Sequence, residues 1–228
     1  MGASRHMIKA VLFDMDGLIV DTEPIHFRAF QALMRDYGRE LPESIMPKLV
    51  GFIEEENIRD LKRMYGLQDP ISEMVARRHR YFMELIRTEP LSVFPGFWEL
   101  AEEVRRRGLK RAVVSSSAAD QIDVILGRVF EEGPSGASPE QFFDAIVTGD
   151  DIVHNKPAPD IYLLAALRVG HPPAACLALE DTPPGVQAAA AAGCIAIAVP
   201  NAYSRGLKFP GARAVVGSLS EVTAYLDG

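Results

Sequence analysis

Short apolar runs along this chain alternate with segments whose apolar positions recur every three or four residues. Ile8 to Phe13, with one lysine inside, reads as a short buried strand. Thr22 is placed to cap a helix running to about Tyr37, with Gly38 as its stop. Ile25, Ala29, Leu33 and Tyr37 mark the buried stripe of that helix. As far as about Glu89 the pattern stays helical, with one segment from Glu54 to Tyr65 closed by Gly66 and another starting near Ser72. Beyond Pro95-Gly96 the alternation resumes. Helices are expected over Trp98 to Arg107, Ala119 to about Val129, Pro159 to Val169 and Pro184 to Ala192. Strands are expected over Arg111 to Ser115, Phe143 to Thr148, Ala175 to Leu179 and Ile195 to Val199, with a short last one at Ala214 to Val216. Glu131 to Glu140, with its Gly133-Pro134-Ser135-Gly136, reads as an exposed loop.

Strand–helix alternation of this kind predicts an α/β fold, a doubly wound parallel sheet with right-handed crossovers. The helical block of about seventy residues set directly after the first strand reads as a small separate domain. The expected organisation is an α/β core of residues 1–21 and 93–228 and a helical cap of residues 22–92.

Composition narrows this little: 228 residues, 48% hydrophobic and 24% charged, suit an ordinary globular enzyme. Charge is more informative. The net charge is −7 and the basic residues are scattered, apart from Arg77-Arg78 and Arg105-Arg106-Arg107, so nucleic acid has no electrostatic footprint to bind. The longest apolar run, Ala188 to Val199, is too short and alanine-rich to span a bilayer, and Asp14 breaks the only run resembling a secretion signal. Cys176 and Cys194, far apart in sequence, match no zinc spacing and are expected as buried, reduced thiols of a cytoplasmic protein. No apolar heptad argues for an oligomer, so a monomer is expected.

The chemistry concentrates at the ends of the predicted strands, where open α/β sheets collect their ligands. The first strand ends in Asp14-Met15-Asp16-Gly17, two carboxylates at alternate positions that can address one centre. Holding two anions together is costly unless a cation or a proton lies between them. An EF-hand is excluded because Leu18, Ile19 and Ile25 stand where its ligands and glycine belong; an acidic turn is the plain alternative. After the second core strand, Ser115-Ser116-Ser117 precede a helix, an arrangement suited to phosphate unless one serine merely caps that helix. After the third, Lys156-Pro157 aims an ammonium from a stiffened loop. After the fourth comes a second acid pair, Glu180-Asp181. Carboxylates from different strands suit Mg²⁺, which requires near-octahedral oxygen ligands.

Asp14-Met15-Asp16-Gly17-Leu18-Ile19-Val20-Asp21, Ser115, Lys156-Pro157 and Glu180-Asp181 resemble, in order and spacing, the four motifs of the haloacid dehalogenase superfamily of aspartate-nucleophile phosphotransferases, and within it the β-phosphoglucomutase-like phosphatases. The resemblance runs from Ile8 to about Leu219, and the block after Thr22 resembles that family's inserted cap. It implies that Asp14 attacks phosphorus to form an aspartyl-phosphate, and that Asp16 protonates the leaving alcohol and then deprotonates water. It implies Mg²⁺ held by Asp14, the backbone carbonyl of Asp16, Glu180 and Asp181, with Ser115 and Lys156 on the phosphoryl oxygens and cap closure drying the site. Opposite charges about 4 Å apart gain roughly 4 kcal/mol at an effective dielectric near 20, so Lys156 can offset much of the charge on Asp14. Gly17 and Ser116 are expected to line the phosphate loop.

What the cap selects is a separate question. His26 sits where the sugar-phosphate mutases of the family carry a histidine near the general acid, and Arg78 falls near a basic cap position. Two departures weigh against a mutase: Phe52-Ile53-Glu54 follow Gly51 where an arginine is expected, and Ala118-Ala119 follow the serines where a lysine is expected. A mutase must hold a sugar bisphosphate at both ends, which the loss of two cations makes hard. The expected function is Mg²⁺-dependent hydrolysis of a small phosphorylated metabolite, with a sugar phosphomutase as the alternative and a non-catalytic phosphate-binding module behind it.

Overall fold

The computed structural model describes residues 7–49 and 54–227. Gly51, Phe52 and Ile53, on which one argument against a mutase rests, lie outside the described residues, as do Met1 to His6. In chain order the elements are β1 (Ala10–Phe13), β2 (Val20–Asp21), α1 (Glu23–Asp36), α2 (Glu54–Tyr65), α3 (Ile71–Thr88), β3 (Ser92–Val93), α4 (Phe97–Arg106), β4 (Lys110–Val114), α5 (Ala119–Glu131), α6 (Pro139–Phe142), β5 (Ala145–Val147), α7 (Asp160–Val169), β6 (Cys176–Glu180), α8 (Pro183–Ala191), β7 (Ile195–Ala198) and β8 (Ala214–Val215).

Six strands form one parallel sheet in the order β5-β4-β1-β6-β7-β8. The chain works outward from β1 in one direction, then returns to its other side at β6. That makes the crevice between β1 and β6 the topological switch point. Phe13 is in register with both Val113 and Leu179, so the segments following β1, β4 and β6 leave the same edge side by side.

Both sheet faces are covered, which is why these strands read as continuous apolar runs and not as alternating ones. Ala10 and Leu12 of β1, Cys176 and Ala178 of β6, and Ile161, Tyr162 and Ala165 of α7 share one core, completed by the alanines of α8. On the other face, Phe13 packs edge-on against Phe97 and Phe143, in a cluster extended by Trp98, Phe130 and Phe142. Full burial of such side chains contributes about 1.5–3 kcal/mol each, so this sheet is a rigid base for what projects from its edge. The segment expected as an exposed loop is largely exposed, but it touches this cluster at Gly133, where a Cβ would come within 2.4 Å of the Trp98 ring, and it leads into α6, which supplies Phe142. Cys176 and Cys194, remote in sequence, sit in one core cluster, because Leu177 pairs with Ile195 in the sheet. Both are free and buried, and burial pushes their thiols up to about 11 and about 12.

Chain contacts divide the molecule into two compact units, one resuming at Ser92 after Asp21 and the other spanning Thr22–Leu91. The boundary falls one residue before the expected 92/93 because Ser92 pairs with Asp21 in the small antiparallel ladder of β2 and β3. The second unit has its own core, with Phe27, Phe30, Leu33 and Met34 of α1 meeting Ile58 and Leu61 of α2 and Met74 of α3. Thr22 holds the N-cap position of α1 but makes no side-chain capping bond; Pro24 in the first turn supplies a preset φ instead. No helix among the described residues is long and apolar enough to cross a membrane.

Candidate active site

Side-chain parity along the strands sorts the acidic residues. Ala10, Leu12 and Asp14 alternate onto the face of α7, as do Cys176, Ala178 and Glu180 on the neighbouring strand. Lys156, in the loop before α7, enters between the two carboxylates: its Nζ lies 2.5 Å from Asp14 Oδ1 and 2.6 Å from Glu180 Oε1. It also donates to the carbonyl of Val114 at 3.3 Å. The Lys156–Pro157 peptide is cis.

Burial, then the Glu180 carboxylate, push Asp14 well above the usual carboxylate range against the pull of Lys156. Burial by itself would lower Lys156, but Asp14 and Glu180 outweigh it and raise the ammonium above the ordinary lysine value. The lysine is therefore a fixed cation.

Asp14, Glu180 and Asp181 are all buried, and each offers a carboxylate oxygen within 4.8 Å of the others. Three carboxyl groups share one ammonium in a water-poor place, and a hard divalent cation with oxygen ligands would favour their ionised forms and balance them. The donor set fits Mg²⁺. Two glycines give it room: a Cβ on Gly17 would stand 2.4 Å from Asp181 Oδ2, and one on Gly185 would stand 1.9 Å from Glu180 Oε2. Gly17 also has φ +82°, where a side chain would be strained.

The carboxylates of Asp14 and Asp16, at alternate positions, do not join one acid cluster. The Asp16 carboxylate lies outside this triad and accepts the hydroxyls of Ser115 at 3.0 Å and Ser117 at 2.9 Å, both on Oδ2. Any part Asp16 takes in metal binding therefore falls to its backbone carbonyl. Ser115 is fully buried at the end of β4 and Ser116 is exposed beside it. None of the serines caps α5. Ala118 is its N-cap, and the Ala119 amide donates at 2.9 Å to Asp150, a carboxylate from the loop after β5. That amide is thus committed within the protein, a non-local bond that a local reading of Ser-Ser-Ser misses.

A haloacid dehalogenase-like hydrolase family model matches residues 8–193, which contain every one of these groups. The chain belongs to that family. The hydrolase is 32% identical to a phosphorylated carbohydrates phosphatase of Thermotoga maritima over 190 residues, 82% of each chain. It is 29% identical to the β-phosphoglucomutase of Bacillus subtilis over 225 residues, 96% of this chain and 93% of that one. A crystal structure of a Rhodobacter sphaeroides CbbY variant in complex with xylulose 1,5-bisphosphate superposes with a TM-score of 0.83 at 29% identity, covering 97% of this chain and 100% of that one.

Two further residues of the hydrolase belong to the site and carry no sequence motif. Tyr162 of α7 donates its hydroxyl to Glu180 Oε1, and its ring lies 5.4 Å from the Lys156 ammonium. Asn201, just past β7, donates to Asp181 Oδ2 at 2.8 Å and to the Gly17 carbonyl at 2.9 Å. Tyr162 reads as one more apolar position of a core helix, while Asn201 follows a strand end and could have been weighed on that ground.

In the cap of the hydrolase, His26 and Arg78 are brought together. An Arg78 guanidinium nitrogen lies 2.5 Å from His26 Nδ1 and another lies 3.2 Å from Glu54 Oε1. The guanidinium stacks over Phe30 and Phe82, with centroid distances of 4.6 and 5.1 Å, and His26 stacks on Phe82 at 4.3 Å. Arg78 is only 2% exposed, so it supports the histidine from inside the cap. Arg77 belongs to a separate network with Asp69 and Tyr37.

Proposed function

We propose that this hydrolase is an Mg²⁺-dependent phosphatase that cleaves a small phosphate monoester, of the sugar-phosphate class, through an aspartyl-phosphate on Asp14. The observation that carries this reading is the Asp14–Lys156–Glu180 ion pairing beside Asp181 at the switch point of the sheet. The names of the Thermotoga and Rhodobacter relatives support the substrate class. Mg²⁺ held by Asp14, Glu180, Asp181 and the Asp16 carbonyl would neutralise the phosphoryl group and let the buried Asp14 act as an anion.

In the first half-reaction an Asp14 carboxylate oxygen bonds to phosphorus and the bond to the alcohol oxygen breaks. Asp16 gives its proton to that alcohol. In the second, water attacks the phosphorus, Asp16 takes the water's proton, and the Asp14–phosphorus bond breaks to release inorganic phosphate. Lys156, fixed by two carboxylates, and Ser115 hold phosphoryl oxygens, with Gly17 and the exposed Ser116 lining the same edge. The Ser115 hydroxyl exchanges Asp16 for the phosphoryl oxygen when substrate enters. Within the second unit Arg78 holds the His26 imidazole in place, and these two are the residues proposed for substrate selection.

The Bacillus relative favours a sugar phosphomutase as the second reading. A screen of phosphorylated metabolites with Mg²⁺, including β-glucose 1-phosphate with its bisphosphate activator, separates the two. Hydrolysis releases inorganic phosphate in proportion to substrate lost, whereas a mutase yields an isomer and almost none. Chelation is expected to stop turnover, and Asp14→Asn to lower kcat by about 10³-fold or more. Wild-type turnover in Asp14→Asn would remove the nucleophile from the proposal.

A further inference from the structure

We infer that Asn201 is a positioning residue for Asp181, tying that carboxylate to the Gly17 loop so that it stands ready for the cation. The inference rests on the reading of the acidic cluster given above. Asn201 is buried, and the orientation of its amide is forced by its neighbours. Its Oδ1 accepts the backbone N–H of Tyr203 at 2.8 Å and that of Ser204 at 3.2 Å. Those groups can only donate, so the opposite end of the amide must be the NH₂ group. That end faces the Gly17 carbonyl at 2.9 Å and Asp181 Oδ2 at 2.8 Å, which are both acceptors there. Each of the two protons therefore has one acceptor. Aspartate would present an acceptor to two acceptors, and serine would be too short to span them.

Gly17 completes the arrangement. A Cβ there would lie 2.4 Å from Asp181 Oδ2 and 2.7 Å from Asn201 Nδ2, so the asparagine and the carboxylate close over bare backbone. Segments following β1, β6 and β7 are thereby joined by one side chain, and the Asp181 carboxylate is held by one oxygen and cannot swing. Partners of this kind, which orient a ligand without touching the metal, typically change metal affinity by 10–100-fold when removed.

Calorimetric titration of the purified protein with MgCl₂ tests this. Asn201→Ala is expected to raise the Mg²⁺ dissociation constant by about 10–100-fold. Val169→Ala, which trims the core at the end of α7 remote from Lys156 and touches neither Asn201 nor the acids, should leave Mg²⁺ affinity unchanged even though it lowers thermal stability measured with a chelator present. Equal Mg²⁺ affinity in Asn201→Ala and wild type would overturn the inference. A wild-type protein that takes up no Mg²⁺ would overturn the reading of the acidic cluster, and the inference with it. Should Asn201→Ala not fold, the Asn201 side-chain amide resonance of the wild-type protein decides the matter. A shift of that resonance during the Mg²⁺ titration supports the inference, and an unmoved one refutes it.

Discussion

Lys156 in the first unit and Arg78 in the second are both enclosed cations, and the two are housed on opposite terms. Lys156 lies among three buried carboxylates that arrive from the ends of different strands, so negative charge remains after it has been neutralised. Arg78 lies between two phenylalanine rings and pairs with the Glu54 carboxylate, whose side chain is still 27% exposed. The core thus has an anionic excess that an outside cation would relieve, whereas the cap cluster is balanced by aromatic faces, a histidine and a partly hydrated acid. Unrelieved charge of this kind marks a site of chemistry, and balanced charge marks a support.

Substitutions at the two cations sharpen that contrast. Lys156→Met leaves three buried carboxylates together, and is expected to destabilise the core by about 3–5 kcal/mol in chelator, with Mg²⁺ restoring part of the loss. Thermal melts with and without Mg²⁺ check this; an equal loss in both would deny the carboxylates their shared cation.

Arg78→Met keeps the bulk between Phe30 and Phe82, and Glu54 can turn to water, so about 1–3 kcal/mol is expected, confined to the cap. The single tryptophan, Trp98, lies in the core unit, while circular dichroism reports the helices of both. Arg78→Met should therefore move the dichroism transition and leave the Trp98 fluorescence transition in place. Equal shifts would show that the two units unfold as one.

The smallest effect belongs to a charge near the core surface. Arg168 lies 2.6 Å from Asp151, and that hydrogen bond, outweighing burial, helped by the Thr148 amide, lowers the carboxyl to about 2. The folded value lies below the unfolded one, so this stabilisation is complete above about pH 4 and is lost as pH falls through about 2. Because the pair is open to solvent, Asp151→Asn should cost about 1 kcal/mol or less at neutral pH. Melts of variant and wild type should converge towards pH 2.

The contrast between the units also explains what could be read from the chain. Apolar runs ending in acids announce β1 and β6 together with their chemistry, because a fully covered strand must be apolar and its end must not be. α2 shows its stripe and its Gly66 stop equally plainly. Strands β2 and β3 span two residues each and have no periodicity to read. Tyr162 acts by bonding to another residue and Asp150 caps α5 from a distant loop, so nothing local distinguishes them, whereas Asn201 offers only its place just past a strand end. In the cap the helices are legible, but the role of Arg78 depends on which rings enclose it, which only packing decides.

The central claim is tested most directly by catching the covalent intermediate. The protein is mixed with a turned-over phosphate monoester and Mg²⁺, quenched in acid during steady state, digested, and mapped by mass spectrometry. The account predicts a phosphoryl group on the peptide carrying Asp14, discharged on dilution into neutral buffer before the quench. Phosphate release at the same rate with the phosphoryl group on another residue, or on none, would contradict it.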